Sequence, residues 1–304
     1  MPELPEVETM CRGIAGIVGS RIAAVAFPRG RVRPIRVEPG PVAIARRIVG
    51  RRVAAVGRRG KRIVIELAAK AAPPLWLVIE PRMTGLMLVV DPPSEDHVRL
   101  VLGLRGGGER RVIFWDRRGL GTVRLVDERG LAAACGDHKL GPDGLVVTAA
   151  ALAAALGRSR RAVKVALLDQ RAVAGIGNIY AAEILFRCGI DPRSACRRLP
   201  VDAWERIAAA TRRLLAEAVR LEGSSIGDET YRTADNRIGR FQTRHLVYDR
   251  AGAACVGCGE PVVRIVQAQR ATFFCPACQI RPGRASTAGR RAGRRGLAAA
   301  DAMP

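Results

Sequence analysis

Val7, Cys11, Ile14 and Val18 recur at helical spacing behind Pro5, a residue that suits a first helical turn, so residues 5–18 are predicted as a helix. Short β-branched segments follow at Arg21–Phe27, Arg62–Leu67, Leu75–Ile79, Leu86–Val90, His97–Leu104, Arg110–Trp115 and Thr122–Val126. Gly, Pro or charged stretches separate them, a texture that predicts a β-sandwich or barrel. Near residue 140 the period changes. Ala149–Leu156, Ala162–Asp169, Ile179–Cys188 and Ala203–Leu221 read as helices, the last with Trp204, Ile207, Leu214 and Leu215 on one face and arginines on the other. Gly223–Arg240 is polar and glycine-containing and reads as a long loop, a length that is usually functional or disordered. A compact Cys-rich module occupies about 245–280, and the Arg/Gly/Ala-rich remainder is expected to be disordered.

Composition adds a partner. The 304 residues carry 51 Lys+Arg against 28 Asp+Glu, a formal net charge of +23, and 48% are hydrophobic. That apolar share supports a packed core and excludes a wholly disordered basic chain, and the length suits two or more domains. No apolar run approaches the roughly 18 residues of a membrane span. The start, MPELPEVETM, is acidic and lacks the apolar centre of a secretory signal, so a soluble, cytoplasmic protein is expected. Such a charge asks for a polyanion, nucleic acid foremost. Arginine outnumbers lysine 47 to 4, so genome base composition can also contribute to the excess. Residues 281–304 hold +5 of it, and the body keeps +18.

Four of the eight cysteines form Cys255-x2-Cys258 and, sixteen residues later, Cys275-x2-Cys278. Each pair can offer two thiolates to one side of a tetrahedral ion, with room for a β-hairpin between. Two disulfides or a redox dithiol would use the same residues, but nothing nearby resembles a secretion signal or a thioredoxin-like unit. One structural Zn2+ is the expectation: four protein thiolates leave no open position for catalysis. Cys11, Cys135, Cys188 and Cys196 lack such spacing and are expected to pack.

Pro2 is a candidate for chemistry, although proline at position 2 is also common. Once Met1 is removed, proline exposes a secondary amine that titrates near ~8 and is partly neutral at physiological pH. A neutral amine can attack C1′ of a sugar. The resulting iminium has no N–H proton to lose, so it stays cationic and draws electrons for elimination. Glu3 and Glu6 lie close in sequence as candidate acid/base carboxylates, although acidic residues also simply favour helix N-termini.

These residues also carry a resemblance. Met1 to Thr9 (MPELPEVET), Arg58-Arg59-Gly60-Lys61, Leu140-Gly141-Pro142-Asp143, Leu167-Leu168-Asp169-Gln170, Gly175-Ile176-Gly177-Asn178-Ile179-Tyr180, Glu183-Ile184-Leu185-Phe186 and Gln269 to Cys275 (QRATFFC) occur in order. Together they resemble bacterial formamidopyrimidine-DNA glycosylases from residue 2 to about 280. The resemblance implies an α+β multidomain fold: an N-terminal helix plus β-sandwich catalytic domain over 1–138 and a helix–two-turns–helix DNA-binding domain over 139–240. It further implies a lesion-recognition loop at 223–240, a β-hairpin zinc finger at 241–280 and a basic tail at 281–304. It implies a monomeric bacterial base-excision enzyme, nucleoid-associated during repair, that removes oxidised purines from damaged double-stranded DNA. Such an enzyme then cuts the abasic site by β- and δ-elimination.

By position, the resemblance makes Pro2 the Schiff-base nucleophile, Glu3 the acid at the sugar oxygen, Lys61 the donor for β-elimination and Arg270 the donor for δ-elimination. Arginine is almost never deprotonated, so Arg270 is better read as a phosphate clamp. Met83, Arg118 and the wedge residue Leu120 are the expected fillers of the gap left by an extruded base. The family pattern has Phe where Leu120 stands and a second Arg where Gly119 stands, which leaves opposite-base preference open. Where Glu95 stands the family carries a phosphate-contacting His, so that contact is not transferred, and His97 is a polar neighbour. Asn178 sits at a glycine-lined helix start suited to phosphate, with Arg160 and Lys164 as possible extensions of that site. Two other readings fit the same sequence: an endonuclease VIII-like enzyme for oxidised pyrimidines, which usually begins Pro-Glu-Gly-Pro, and a non-catalytic damaged-DNA-binding zinc protein.

Overall fold

The computed structural model describes residues 2–28, 32–227 and 230–282, so all but the first two residues of the expected tail lie outside them. The chain forms two compact units: Met1–Leu140 with Ala216–Thr243, and Gly141–Leu215 with Arg244–Pro304.

The first unit contains α1 (Leu4–Gly13), β1 (Arg21–Ala26), β2 (Arg36–Glu38), α2 (Pro41–Ile48), β3 (Arg52–Arg59), β4 (Arg62–Ala69), β5 (Ala72–Glu80), β6 (Gly85–Leu88), β7 (Val98–Arg105), β8 (Arg111–Asp116), β9 (Thr122–Val126) and α3 (Glu128–Cys135). The strands hydrogen-bond in the order β2-β9-β5-β4-β3-β1-β7-β8-β6, antiparallel except β2 on β9. Alternation decides which face is inside: in β4, Ile63, Ile65 and Leu67 are buried while Arg62, Val64 and Glu66 face outward. Leu77 and Ile79 of β5 share one core with Leu86 and Leu88 of β6, although those strands stand far apart in the sheet order. The sheet therefore folds over itself as a sandwich. Val7, Met10 and Ile14 from α1 and the following residue join that core.

The first helix ends at Gly13, five residues before Val18. A Cβ at position 13 would lie 2.4 Å from the Ala234 Cβ, so the close approach of the 223–240 segment demands glycine there. Ala15–Ile17 continues as a 3-10 turn and leaves Val18 exposed.

The second unit contains α4 (Ala149–Leu156), α5 (Val163–Leu167), α6 (Asn178–Arg187), most of α7 (Val201–Arg220) and the hairpin β10 (Val263–Gln267)–β11 (Arg270–Phe274). The fully buried Glu183 of α6 anchors the Cys-rich module. Its carboxylate accepts the backbone N–H groups of Leu246, Val247 and Tyr248 and pairs with Arg187. Ala182 and Phe186 pack on Val247, Val262 and Phe273 beside it. No helix among the described residues is long and apolar enough to cross a membrane.

Candidate active site

In the first unit, Pro2 is buried immediately before α1, and Glu3 is the residue that caps this helix. Glu3 and Glu6 are each only 1% exposed. The Glu3 backbone N–H donates to Glu6 Oε2 at 2.8 Å, and the Ser224 N–H donates to Glu6 Oε1 at 2.8 Å. Glu6 thus ties the start of α1 to the 223–240 segment. Tyr231 of that segment donates its hydroxyl to the Glu222 carbonyl at 3.0 Å, and burial pushes that phenol well above its usual range. Ser225 Oγ accepts the Gly239 N–H and donates to the Tyr231 carbonyl, so the segment's two arms are pinned together.

Lys61 occupies the two-residue turn between β3 and β4, after Gly60 at φ 58°. The turn is held from α1. Glu8 accepts from Arg58 Nε at 2.9 Å, and Arg58 Nη1 donates to the Gly60 carbonyl at 2.9 Å. Partial burial raises the Glu8 pKa, but hydrogen bonds from Arg58 and Arg12 outweigh it and hold the carboxyl below its usual range.

Met83 and Arg118 are exposed and Leu120 is half-exposed on two neighbouring turns. Asp116, fully buried, clamps both. Its Oδ1 accepts from the Thr84 hydroxyl at 2.5 Å and its Oδ2 from the Gly121 N–H at 2.7 Å, while the Arg118 N–H donates to Thr84 Oγ1 at 3.0 Å. Gly119 lies between the proposed contacts at φ 60°, and a Cβ there would meet the Arg33 carbonyl at 2.3 Å. Glu95 is exposed in a 3-10 turn with His97, whose ring packs edge-on against Trp115 at 5.3 Å.

In the second unit, α5, two turns and α6 follow one another. Gln170 shapes the second turn: its amide donates to the Leu168 and Ile176 carbonyls and accepts the Gly175 N–H. This aims the N-terminus of α6, where Asn178 is the first residue. Lys164 is wholly buried, unlike the exposed Arg160. Its ammonium donates to Asn178 Oδ1 at 2.5 Å and to the Ala271 carbonyl at 3.4 Å, and Asn178 Nδ2 donates to that carbonyl at 2.9 Å. Both residues therefore fasten the hairpin beside Arg270. Arg270 itself is exposed, just past a turn in which Ala268 and Gln269 both have positive φ.

The four module cysteines place their Sγ atoms within 4.8 Å of one another, with Cys255–Cys278 at 3.8 Å and Cys258–Cys275 at 3.5 Å. A tetrahedral Zn–S bond of about 2.3 Å gives sulfur–sulfur edges of about 3.8 Å, whereas a disulfide needs about 2.05 Å. The donor set fits one structural zinc. The remaining cysteines are unsuited to chemistry: burial pushes the Cys11 and Cys188 thiols up to about 12 and Cys196 to about 11, and raises Cys135.

Family models match three consecutive stretches: the formamidopyrimidine-DNA glycosylase N-terminal domain over residues 1–123, its H2TH domain over 140–230, and the zinc finger found in FPG and IleRS over 252–280. The formamidopyrimidine-DNA glycosylase of Chloroflexus aggregans is 42% identical over 289 residues, covering 92% of this chain and 99% of that protein. The chain belongs to the formamidopyrimidine-DNA glycosylase family. Among solved structures, the MutM (Fpg) protein of Thermus thermophilus is 38% identical with a TM-score of 0.79, covering 91% of this chain and 98% of that one. A mutant Lactococcus lactis Fpg in complex with Fapy-dG containing DNA is 30% identical with a TM-score of 0.78, covering 91% and 99%.

Sequence reasoning named Lys61, Asn178 and Arg118 but gave no role to Arg58, Gln170 or Asp116, which orient them. For Arg58 and Gln170 the signal was present, since both stand inside motifs already singled out; Asp116 lies two residues before Arg118.

Proposed function

We propose that this protein is a bifunctional DNA glycosylase and abasic-site lyase that removes oxidised purines, 8-oxoguanine and formamidopyrimidines, from damaged double-stranded DNA. One observation carries the reading: the proline whose amine would attack is fixed at the start of α1 beside two buried carboxylates, Glu3 and Glu6. Residues 1–138 supply the chemistry, 139–240 hold DNA with 223–240 closing on the base, and 241–280 present Arg270. The enzyme works as a monomer in the bacterial cytoplasm, at the nucleoid.

With Met1 removed, the Pro2 nitrogen attacks C1′ and the bond to the damaged base breaks. Glu3 protonates the sugar ring oxygen, the ring opens, and the iminium forms. Glu3, left as a carboxylate, takes a C2′ proton as the 3′ phosphate leaves, and a second elimination expels the 5′ phosphate. Lys61 donates a proton in the first elimination, and Arg270 stabilises the departing phosphate charge. Glu6 acts by orienting Glu3. Met83, Arg118 and Leu120 fill the helix behind the extruded nucleotide. Asn178 and Arg160 engage phosphate, and Lys164 acts through Asn178. Cys255, Cys258, Cys275 and Cys278 hold one zinc, which folds the finger.

Borohydride trapping on abasic DNA, with mass spectrometry of the N-terminus, tests the lyase. A covalent adduct at Pro2 is expected; no adduct from chain shown to lack Met1 would leave a non-catalytic DNA-binding protein. Excision from 8-oxoguanine and thymine-glycol duplexes tests the substrate. A strong thymine-glycol preference would move the assignment to the endonuclease VIII-like class.

A further inference from the structure

Arg21 of β1 is the Cα partner of Arg52 on β3 and of Arg105 on β7. Facing residues of antiparallel strands share a face. All three arginines are exposed, while the adjacent Ile22, Val53 and Leu104 are buried. With strands about 4.8 Å apart, three guanidinium groups span about 10 Å of solvent-facing sheet. Like charges placed opposite one another destabilise a sheet. Among the described residues no carboxylate pairs with any of the three. Glu109, in the turn after β7, lies beside Gly16.

Nearby arginines have local uses. Arg46 and Arg47 offset the carbonyl end of α2, and Arg51 spends its guanidinium on the Arg47, Leu67 and Pro73 carbonyls. The row has only one such bond, from Arg21 Nη1 to the Gly50 carbonyl at 3.0 Å. It is also remote from the chemistry. β3 runs eight residues from Arg52 to Arg59 before Lys61, a separation above roughly 20 Å along the strand.

We propose that Arg21, Arg52 and Arg105 bind the phosphate backbone of a second DNA duplex, separate from the one engaged at Pro2. Guanidinium forks match phosphate oxygens. Ala55 and Ala68 flank Arg52 on this face, and the aromatic ring on the same side, Trp76 of β5, is half-buried opposite Glu66, whose carboxylate would repel a single strand laid over it, so duplex is favoured over single strand. A protein holding two segments can pass between them without entering bulk solution.

The test uses the full chain saturated with an unlabelled duplex bearing a tetrahydrofuran abasic analogue. A fluorescein-labelled undamaged duplex is then titrated while anisotropy is read, for wild type, the triple variant R21Q/R52Q/R105Q and the triple variant R21K/R52K/R105K. Wild type is expected to bind the second duplex. The Gln variant should bind it about tenfold or more weakly, with a log–log salt slope shallower by about 2.7, while the Lys variant retains the slope. Single-turnover excision of 8-oxoguanine should be equal in all three. Three results would overturn the proposal: no second duplex on saturated wild type, unchanged affinity and slope in the Gln variant, or excision falling with the row's charge. If the Gln triple melts early, each single Gln variant should shift the slope by about 0.9, and no shift refutes the row. Wild type that binds both duplexes but excises nothing would count against the glycosylase reading and leave the row standing.

Discussion

Asp116 is fully buried and fixes the turn carrying Met83 and the turn carrying Arg118 and Leu120 through one carboxylate. Asp116→Asn puts an NH2 where an acceptor is needed, leaving the Thr84 hydroxyl or the Gly121 N–H unpaired, at a cost of about 1–3 kcal/mol. The expected result is a drop of tenfold or more in 8-oxoguanine excision with a smaller drop in cutting of preformed abasic sites, which require no base extrusion. Equal losses on both substrates would show that the clamp does not serve the wedge. Gly119 illustrates a different constraint. The left-handed backbone and the Arg33 carbonyl 2.3 Å from a Cβ leave no room for a side chain at this position. Gly119→Arg should therefore lower the melting temperature without increasing discrimination of the opposite base, measured on duplexes with C, A, G and T across the lesion.

Among elements, α1 holds the turn that bears Lys61 through Glu8 and Arg58. The folded Glu8 pKa is depressed, so its contribution is present above the unfolded value of 4.5 and is lost as pH falls through the folded value. Glu8→Gln should destabilise by about 1 kcal/mol at pH 7, and the gap to wild type should close on acidification below pH 4.5, as thermal melts would record. Chelation of zinc should unfold β10–β11 and its flanking turns, and with them the setting of Arg270. Circular dichroism and DNA binding should fall together, while α1 and the sandwich remain folded.

The helices of the second unit and the zinc hairpin were legible because apolar runs such as Ala149–Leu156, the apolar face of Val201–Arg220 and paired Cys-x2-Cys spacing need no tertiary context. Four elements of the first unit were not. β3, Arg-Val-Ala-Ala-Val-Gly-Arg-Arg, has small and charged residues where a strand pattern expects bulky ones; β2 is three residues long; α2 and α3 interrupt short apolar runs with arginine or glycine. Pro2, Lys61 and the zinc cysteines were readable as residue types, whereas the burial of Lys164 was not, because its partners Asn178 and Ala271 come from other elements.

At the level of the whole molecule, the +23 charge separates into uses. Arg58, Arg51 and Arg187 brace neighbouring backbone or carboxylate groups, Arg118 and Arg270 are exposed on turns of separate units, and Arg21, Arg52 and Arg105 form a row across three strands. The first unit is also discontinuous in sequence. Tyr231 and Ala234 belong to the same core as α1, and the Glu6 carboxylate accepts a backbone N–H from Ser224, 218 residues away. A ribosome that has emitted only the first 140 residues has released a sheet whose core lacks those contributions and whose Glu6 lacks that donor. Pro2, the proposed nucleophile, thus leaves the ribosome well before Ser224, the residue that secures the neighbouring Glu6.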